Sequence, residues 1–149
     1  MQNHPPSQVS KGVALLIASM SSFLTPFTGS SVNIALPSIG KELSLNAIEL
    51  SWVATAYLLA AAVFLVPFGR IADIYGRKKI YLIGIIIDAA ASLLCTTSQS
   101  GIMLIIFRAL QALGGAMIFG TGISILTSVY PHKERGRALG ISTASVYIG

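Results

Sequence analysis

The stretch from Gly69 to Lys79, GRIADIYGRKK, lies between two apolar runs that are each long enough to cross a bilayer. It holds two glycines, one aspartate and the cations Arg70, Arg77, Lys78 and Lys79. A connection that short and that charged reads as a loop, and it makes the two flanking segments antiparallel neighbours in lipid. Working outward, the apolar runs predict a helix over about 12–36 ended by Pro37, then 48–68, 80–96 and 102–129, the last stopped near Pro131. A fifth begins near Arg137 and is still apolar at Gly149. Asn46 followed by Glu49 has the spacing of a capping box at the start of the second helix.

Composition supports an all-α integral membrane protein. Apolar residues make up 54% of the chain and charged ones 10%, against about 25% charged in a typical globular domain. The mean hydropathy is +0.77. The formal charge of +5 is gathered between the apolar runs, which points to an anionic lipid surface and not to nucleic acid. Cys95 has no partner cysteine and reads as a small packing residue. His4 and His132 lie in a tail and a loop without metal-ligand spacing. No nucleophile–base pair, phosphate loop or metal cluster is evident, so an enzyme and a bound cofactor are not expected. Residues 1–11 are polar and read as a disordered cytoplasmic tail, with the transmembrane bundle over 12–149.

The basic residues set the expected orientation. Lys11, the four cations of the charged loop, and Lys133, Arg135 and Arg137 fall on one side, Lys41 falls opposite, and Arg108 lies inside the fourth helix. The N-terminus is therefore expected in the cytoplasm and the protein in the cell membrane, crossing it several times. Trp52 and Tyr57 at the outer end, and Tyr75, Tyr81 and Tyr130 at the inner, suit interfacial belts or ordinary packing equally.

Three motifs carry a family resemblance. Gly69, Asp73, Gly76, Arg77 and Lys78 resemble the G-x-x-x-D-x-x-G-R-K signature between the second and third helices of the major facilitator superfamily. Arg108, Gln111, Gly114 and Ala116 resemble its fourth-helix R-x-x-Q-G-x-G-x-A motif, with Ala112 in place of the first glycine. The run Asn33-Ile34-Ala35-Leu36-Pro37 is similar to the end of the first helix in the fourteen-helix drug:proton antiporter, or multidrug efflux, branch. Thr28 stands where that branch usually has an aspartate, and Gly149 is at most the first glycine of the branch's fifth-helix motif. The resemblance implies the N-terminal portion of the superfamily fold, four complete helices and part of a fifth.

The same motifs supply the candidate site. Gly69, Asp73, Gly76, Arg77 and Lys78 form a candidate gate whose contacts exist in one conformation and break in another, or else a positive-inside anchor alone. Arg108 is costly inside a span, so it faces the bundle or water, with Gln111 on the same helical face. The resemblance implies a place for this pair at the central cavity, in ion coupling or substrate contact; an interhelical hydrogen bond is the structural alternative. Asp88 is the single carboxylate inside a span and shares its face with Gly84, Ser92 and Cys95. It is a candidate proton carrier or a buried structural acid. Its depth in the third helix is offset from that of Arg108, so an ion pair between them is marginal. Asn33 is a candidate backbone hydrogen-bonder and, second, a substrate contact. Ala112, Ala116 and Gly120 read as a small-residue packing seam.

These features lead to a proton-coupled efflux carrier for amphipathic or cationic drugs, working by alternating access, with the proton gradient as its energy source. Its partners are the bilayer, a small-molecule substrate and the remaining helices of a longer transporter. The alternatives are an importer of a metabolite or a truncated membrane protein without transport activity.

Overall fold

A computed structural model describes residues 11–149. The sequence reading of a disordered tail over 1–10, His4 included, lies outside the described residues; Lys11, assigned to that tail, opens the first helix. Five helices follow: α1 (Lys11–Glu42), α2 (Ala47–Tyr75), α3 (Arg77–Thr96), α4 (Gly101–Val129) and α5 (His132–Ile148). The first four are long and apolar enough to cross a membrane.

The helices overrun their expected ends, and lipid explains why. Pro37 does not stop α1, which carries both Pro26 and Pro37 and runs on to Glu42. Each proline removes one backbone hydrogen bond, whereas ending the helix there strands several backbone groups in a medium without water. The segment Gly69–Tyr75, expected as a loop, is the last two turns of α2. At 29 residues that helix is about 43 Å long and outreaches a hydrocarbon core of about 30 Å, so its charged end meets water while still helical. Gly76 alone breaks the chain, at φ 103°, a left-handed conformation that favours glycine. Arg77, Lys78 and Lys79 then form the first turn of α3. The fifth helix likewise starts earlier than expected, directly after Pro131.

The expected capping box is present. Glu49 N donates to Asn46 Oδ1 at 2.9 Å, and Asn46 N donates to Glu49 Oε2 at 3.0 Å, an arrangement worth about 1 kcal/mol to the helix.

α4 is the centre of the bundle, packed between α2 and α3, while α1 pairs with α5 and leans on α4. Close approach is made by small residues. A Cβ on Gly84 would lie 2.7 Å from Met117 Cβ, and one on Gly114 would lie 2.5 Å from Asp88 N. On the other side of α4, a Cβ on Gly120 would meet the Leu65 carbonyl at 3.2 Å and Gly69 N at 3.5 Å. Gly69 thus serves backbone contact with α4 and not a turn. Ala112 and Ala116 are buried in the same helix, as expected of the seam. No Cα of α1 comes within 8 Å of one in α3; the two are joined by Tyr81, whose hydroxyl lies 2.6 Å from Ser21 Oγ and 3.2 Å from the Ile17 carbonyl. Tyr81 is therefore a buried interhelical bridge. Trp52 and Tyr75, by contrast, are exposed at opposite ends.

Candidate functional site

Arg108 is the largest fully buried side chain of the bundle, with 1% of its surface exposed. α4 places it between α2 and α3, and two neighbours hold its guanidinium. Its guanidinium carbon stands 4.4 Å from the centre of the Tyr57 ring on α2, a cation–π distance. One terminal nitrogen donates to Gln111 Oε1 at 2.7 Å, the i,i+3 pairing that a helix allows. Its Nε is buried and finds no acceptor among the described residues. Gln111 Nε2 in turn donates to Ser92 Oγ on α3 at 2.8 Å, and Ser92 donates to the Asp88 carbonyl at 2.7 Å. A chain of hydrogen bonds therefore runs from Arg108 across α4 to the backbone of α3.

Arg108 also lines an open cavity of about 300 Å³ where α1, α2 and α4 converge. Its walls include Thr25, Ser30 and Asn33 from α1, Tyr57 from α2, and Phe119 from α4. Asn33 is exposed to this space and makes no side-chain hydrogen bond among the described residues. Gln111 opens the other way, onto a groove of about 440 Å³ between α1 and α3 that Thr28, Ser92, Cys95 and Glu42 also line. The pair expected to share one cavity is bonded together yet divided between two.

Asp88 is half-buried on the face of α3 that meets Gly114. Among the described residues its carboxylate has no ion pair and no hydrogen bond, so the marginal pairing with Arg108 is not made. Hydrogen bonds link the two indirectly, through Gln111, Ser92 and the α3 backbone.

The charged segment forms a second cluster at the far end of α2. Arg77 Nε donates to Asp73 Oδ1 at 2.9 Å across the Gly76 break. The same guanidinium donates to the Ser124 carbonyl of α4 at 3.1 Å. Arg77 thus ties the α2–α3 corner to α4, whereas Lys78 is exposed at the rim of an apolar groove that α1, α3 and α4 line. At the same end of the bundle Lys11 pairs with Glu134 at 2.9 Å, and Tyr130 donates to the Lys11 carbonyl at 2.8 Å. Among the described residues no group of His, Cys, Asp or Glu has the arrangement of a metal site.

The sequence leaves Tyr57 between an interfacial belt and ordinary packing and does not point to Arg108. Its depth was the available signal: about 15 Å from the start of α2, against about 10 Å for Arg108 from the start of α4 at the same end.

A family model described as Major Facilitator Superfamily matches residues 18–149. Among curated proteins, the riboflavin transporter RibZ of Clostridioides difficile (strain 630) is 34% identical over 139 residues, covering 93% of this chain and 30% of that protein. The multidrug resistance protein Stp of Mycobacterium tuberculosis (strain CDC 1551 / Oshkosh) is 37% identical over 119 residues, 79% of this chain and 22% of its own length. A probable actinorhodin transporter of Streptomyces coelicolor is 31% identical over 145 residues, 97% of this chain and 25% of its own length. The chain spans under a third of the length of each of these relatives.

Proposed function

The chain belongs to the Major Facilitator Superfamily, and from that premise we propose that it supplies the first helices of a proton-coupled exporter of amphipathic small molecules. The observation that carries this reading is Arg108, a guanidinium held inside a membrane-crossing bundle at the wall of a cavity. Intramembrane charges are costly and mark substrate or ion pathways. The cavity lies where α1, α2 and α4 meet, which suits a substrate site near the bilayer midplane of a transporter built from inverted repeats. The pairing of α2 with α4 and of α1 with α5 is what exchange of the first helix for the fourth, and the second for the fifth, produces.

Export is favoured by the names of the multidrug resistance and actinorhodin relatives. Uptake of a metabolite is the second reading, since another relative is named for a metabolite, riboflavin, without a direction of transport. Dye movement in vesicles under an imposed pH gradient separates them. Outward flux coupled to inward protons supports export; substrate accumulation in the cytoplasmic direction overturns it.

In the exporter the Asp73–Arg77–Ser124 cluster acts as a cytoplasmic latch. The ion pair itself is exposed and worth about 0–1 kcal/mol, which is too little to hold a fold but enough to bias two conformations of similar energy. Asp73→Asn is expected to slow efflux several-fold while leaving membrane insertion and thermal stability unchanged. An unaltered efflux rate in that variant removes the latch.

The orientation assigned here puts Lys78 in the cytoplasm and Lys41 outside, in keeping with the distribution of basic residues. Both side chains are exposed. A membrane-impermeant amine reagent applied to intact cells is expected to modify Lys41 and spare Lys78, as read by peptide mapping. The reverse pattern inverts the topology.

A further inference from the structure

Two adjacent glycines of α4 face different neighbours. Gly114 meets the backbone of α3 at Asp88, whereas a Cβ on Gly115 would stand 3.1 Å from the Tyr57 hydroxyl on α2 and 3.3 Å from the Thr25 methyl on α1. Gly115 is buried, and glycine is a poor helix former, so its place in mid-helix has a contact reason. The fourth-helix motif leaves this position open.

Two helical turns separate Arg108 from Gly115, which puts them on nearly one face of α4 and about 10 Å apart. The guanidinium leans along the helix toward Gln111. The Tyr57 side chain fills the interval, with its hydroxyl against Gly115 and its ring centre 4.4 Å from the guanidinium carbon. Tyr57 is half-buried and lines the cavity, so it is the more exposed member of its pair with Arg108. Thr25 is buried beside the same glycine, its hydroxyl bonded to the Ser21 carbonyl at 3.0 Å, and is fixed there. A methyl added at position 115 therefore displaces the end of the tyrosine and tilts the ring off Arg108. The backbone is spared, in contrast to position 114, because the nearest atom is the tip of a side chain.

We propose that Gly115 is a positioning residue of the transport site: its bare backbone seats the Tyr57 hydroxyl and so sets the ring on the Arg108 guanidinium at the cavity wall. This role rests on the transport reading of the Arg108 cavity and adds to it the residue that fixes its geometry.

The test uses the complete transporter in proteoliposomes, with ethidium and fluorescein as probes under an imposed pH gradient. At matched abundance, Gly115→Ala is expected to lower flux of the transported dye about three- to tenfold. Tyr57→Phe keeps the ring, lacks the hydroxyl and is expected to stay within about twofold of the wild type. It is also expected to return Gly115→Ala to that level, because the nearest ring atom would then stand 4.0 Å from the new methyl. In an Arg108→Lys background, which lacks the stacking fork, Gly115→Ala is expected to change flux by less than about twofold. The seat is read separately by phenylglyoxal, an arginine reagent, with peptide mapping. Gly115→Ala is expected to raise modification of Arg108 relative to Arg70, and Tyr57→Phe to reverse the rise. Wild-type flux in Gly115→Ala, a loss that Tyr57→Phe does not relieve, or an equal loss in the Arg108→Lys background overturns the proposal. A wild type that moves neither dye removes the transport reading. The seat is then decided by the labelling alone: a reversible rise upholds it, and an unchanged level overturns it.

Discussion

Arg108→Ala in the complete transporter is expected to lower substrate flux under an imposed pH gradient by about 10- to 100-fold, equivalent to about 1.4–2.7 kcal/mol, with the protein still inserted in the membrane. The variant removes the positive charge from the cavity wall, empties the face of the Tyr57 ring and leaves Gln111 Oε1 without its donor. Insertion persists because removing a charge from a span makes partitioning into lipid easier. The loss is therefore one of function in a folded bundle. Flux under an imposed pH gradient, set beside surface abundance, distinguishes this from degradation, and wild-type flux at normal abundance removes Arg108 from the mechanism.

Arg108→Lys sharpens the expectation. Lysine keeps the charge but lacks the planar fork that stacks on Tyr57 while bonding Gln111. Partial efflux in the lysine variant, between wild type and alanine, assigns part of the role to charge and the rest to geometry. Equal loss in both assigns it to the fork. Gln111→Ala sits one bond further along and also releases Ser92, so its effect reports how far positioning of the guanidinium depends on α3.

What the sequence disclosed and what it hid follow from the range of the interactions involved. The Asn46–Glu49 box was legible because both partners lie within one turn. The apolar spans were legible because the bilayer selects for length and composition. Arg108 stood out because a charge in lipid needs a reason. The helix ends were misplaced at Pro37 and Gly69, where soluble-protein rules for prolines, glycines and charges give way to the cost of unpaired backbone in hydrocarbon. Hidden altogether were contacts that depend on how helices rotate about their axes. Tyr57 meets Arg108, Tyr81 bridges to Ser21, and Arg108 and Gln111 open onto different cavities, and none of these follows from spacing along a single helix. The small stripe Gly84, Asp88 and Ser92 was the exception. A face without bulk announces a close neighbour, and α4 is that neighbour.

That close neighbour yields the second large effect. Gly114→Ala is expected to destabilise the bundle by about 1–3 kcal/mol, the range for overpacking a well-filled interior. The added methyl would stand 2.5 Å from Asp88 N and 2.8 Å from Asp88 Cα, and helix backbone cannot swing aside as a flexible side chain can. α3 must move away from α4 as a body. Ser92, one turn beyond Asp88, moves with it and stretches the 2.8 Å bond from Gln111, so the Arg108 setting loosens together with the packing. Gly140→Ala is the internal control, because a Cβ there meets nothing within 4 Å and alanine is the better helix former. In detergent the melting temperature of Gly114→Ala is expected to fall by about 5 °C or more, with that of Gly140→Ala unchanged or raised. Gly114→Leu, which cannot be accommodated by a small shift, is expected to prevent accumulation of folded protein. A Gly114→Ala variant that melts with the wild type would mean that α3 and α4 are not pressed together at Asp88, and the hydrogen-bonded path from the cavity to α3 would lose its foundation.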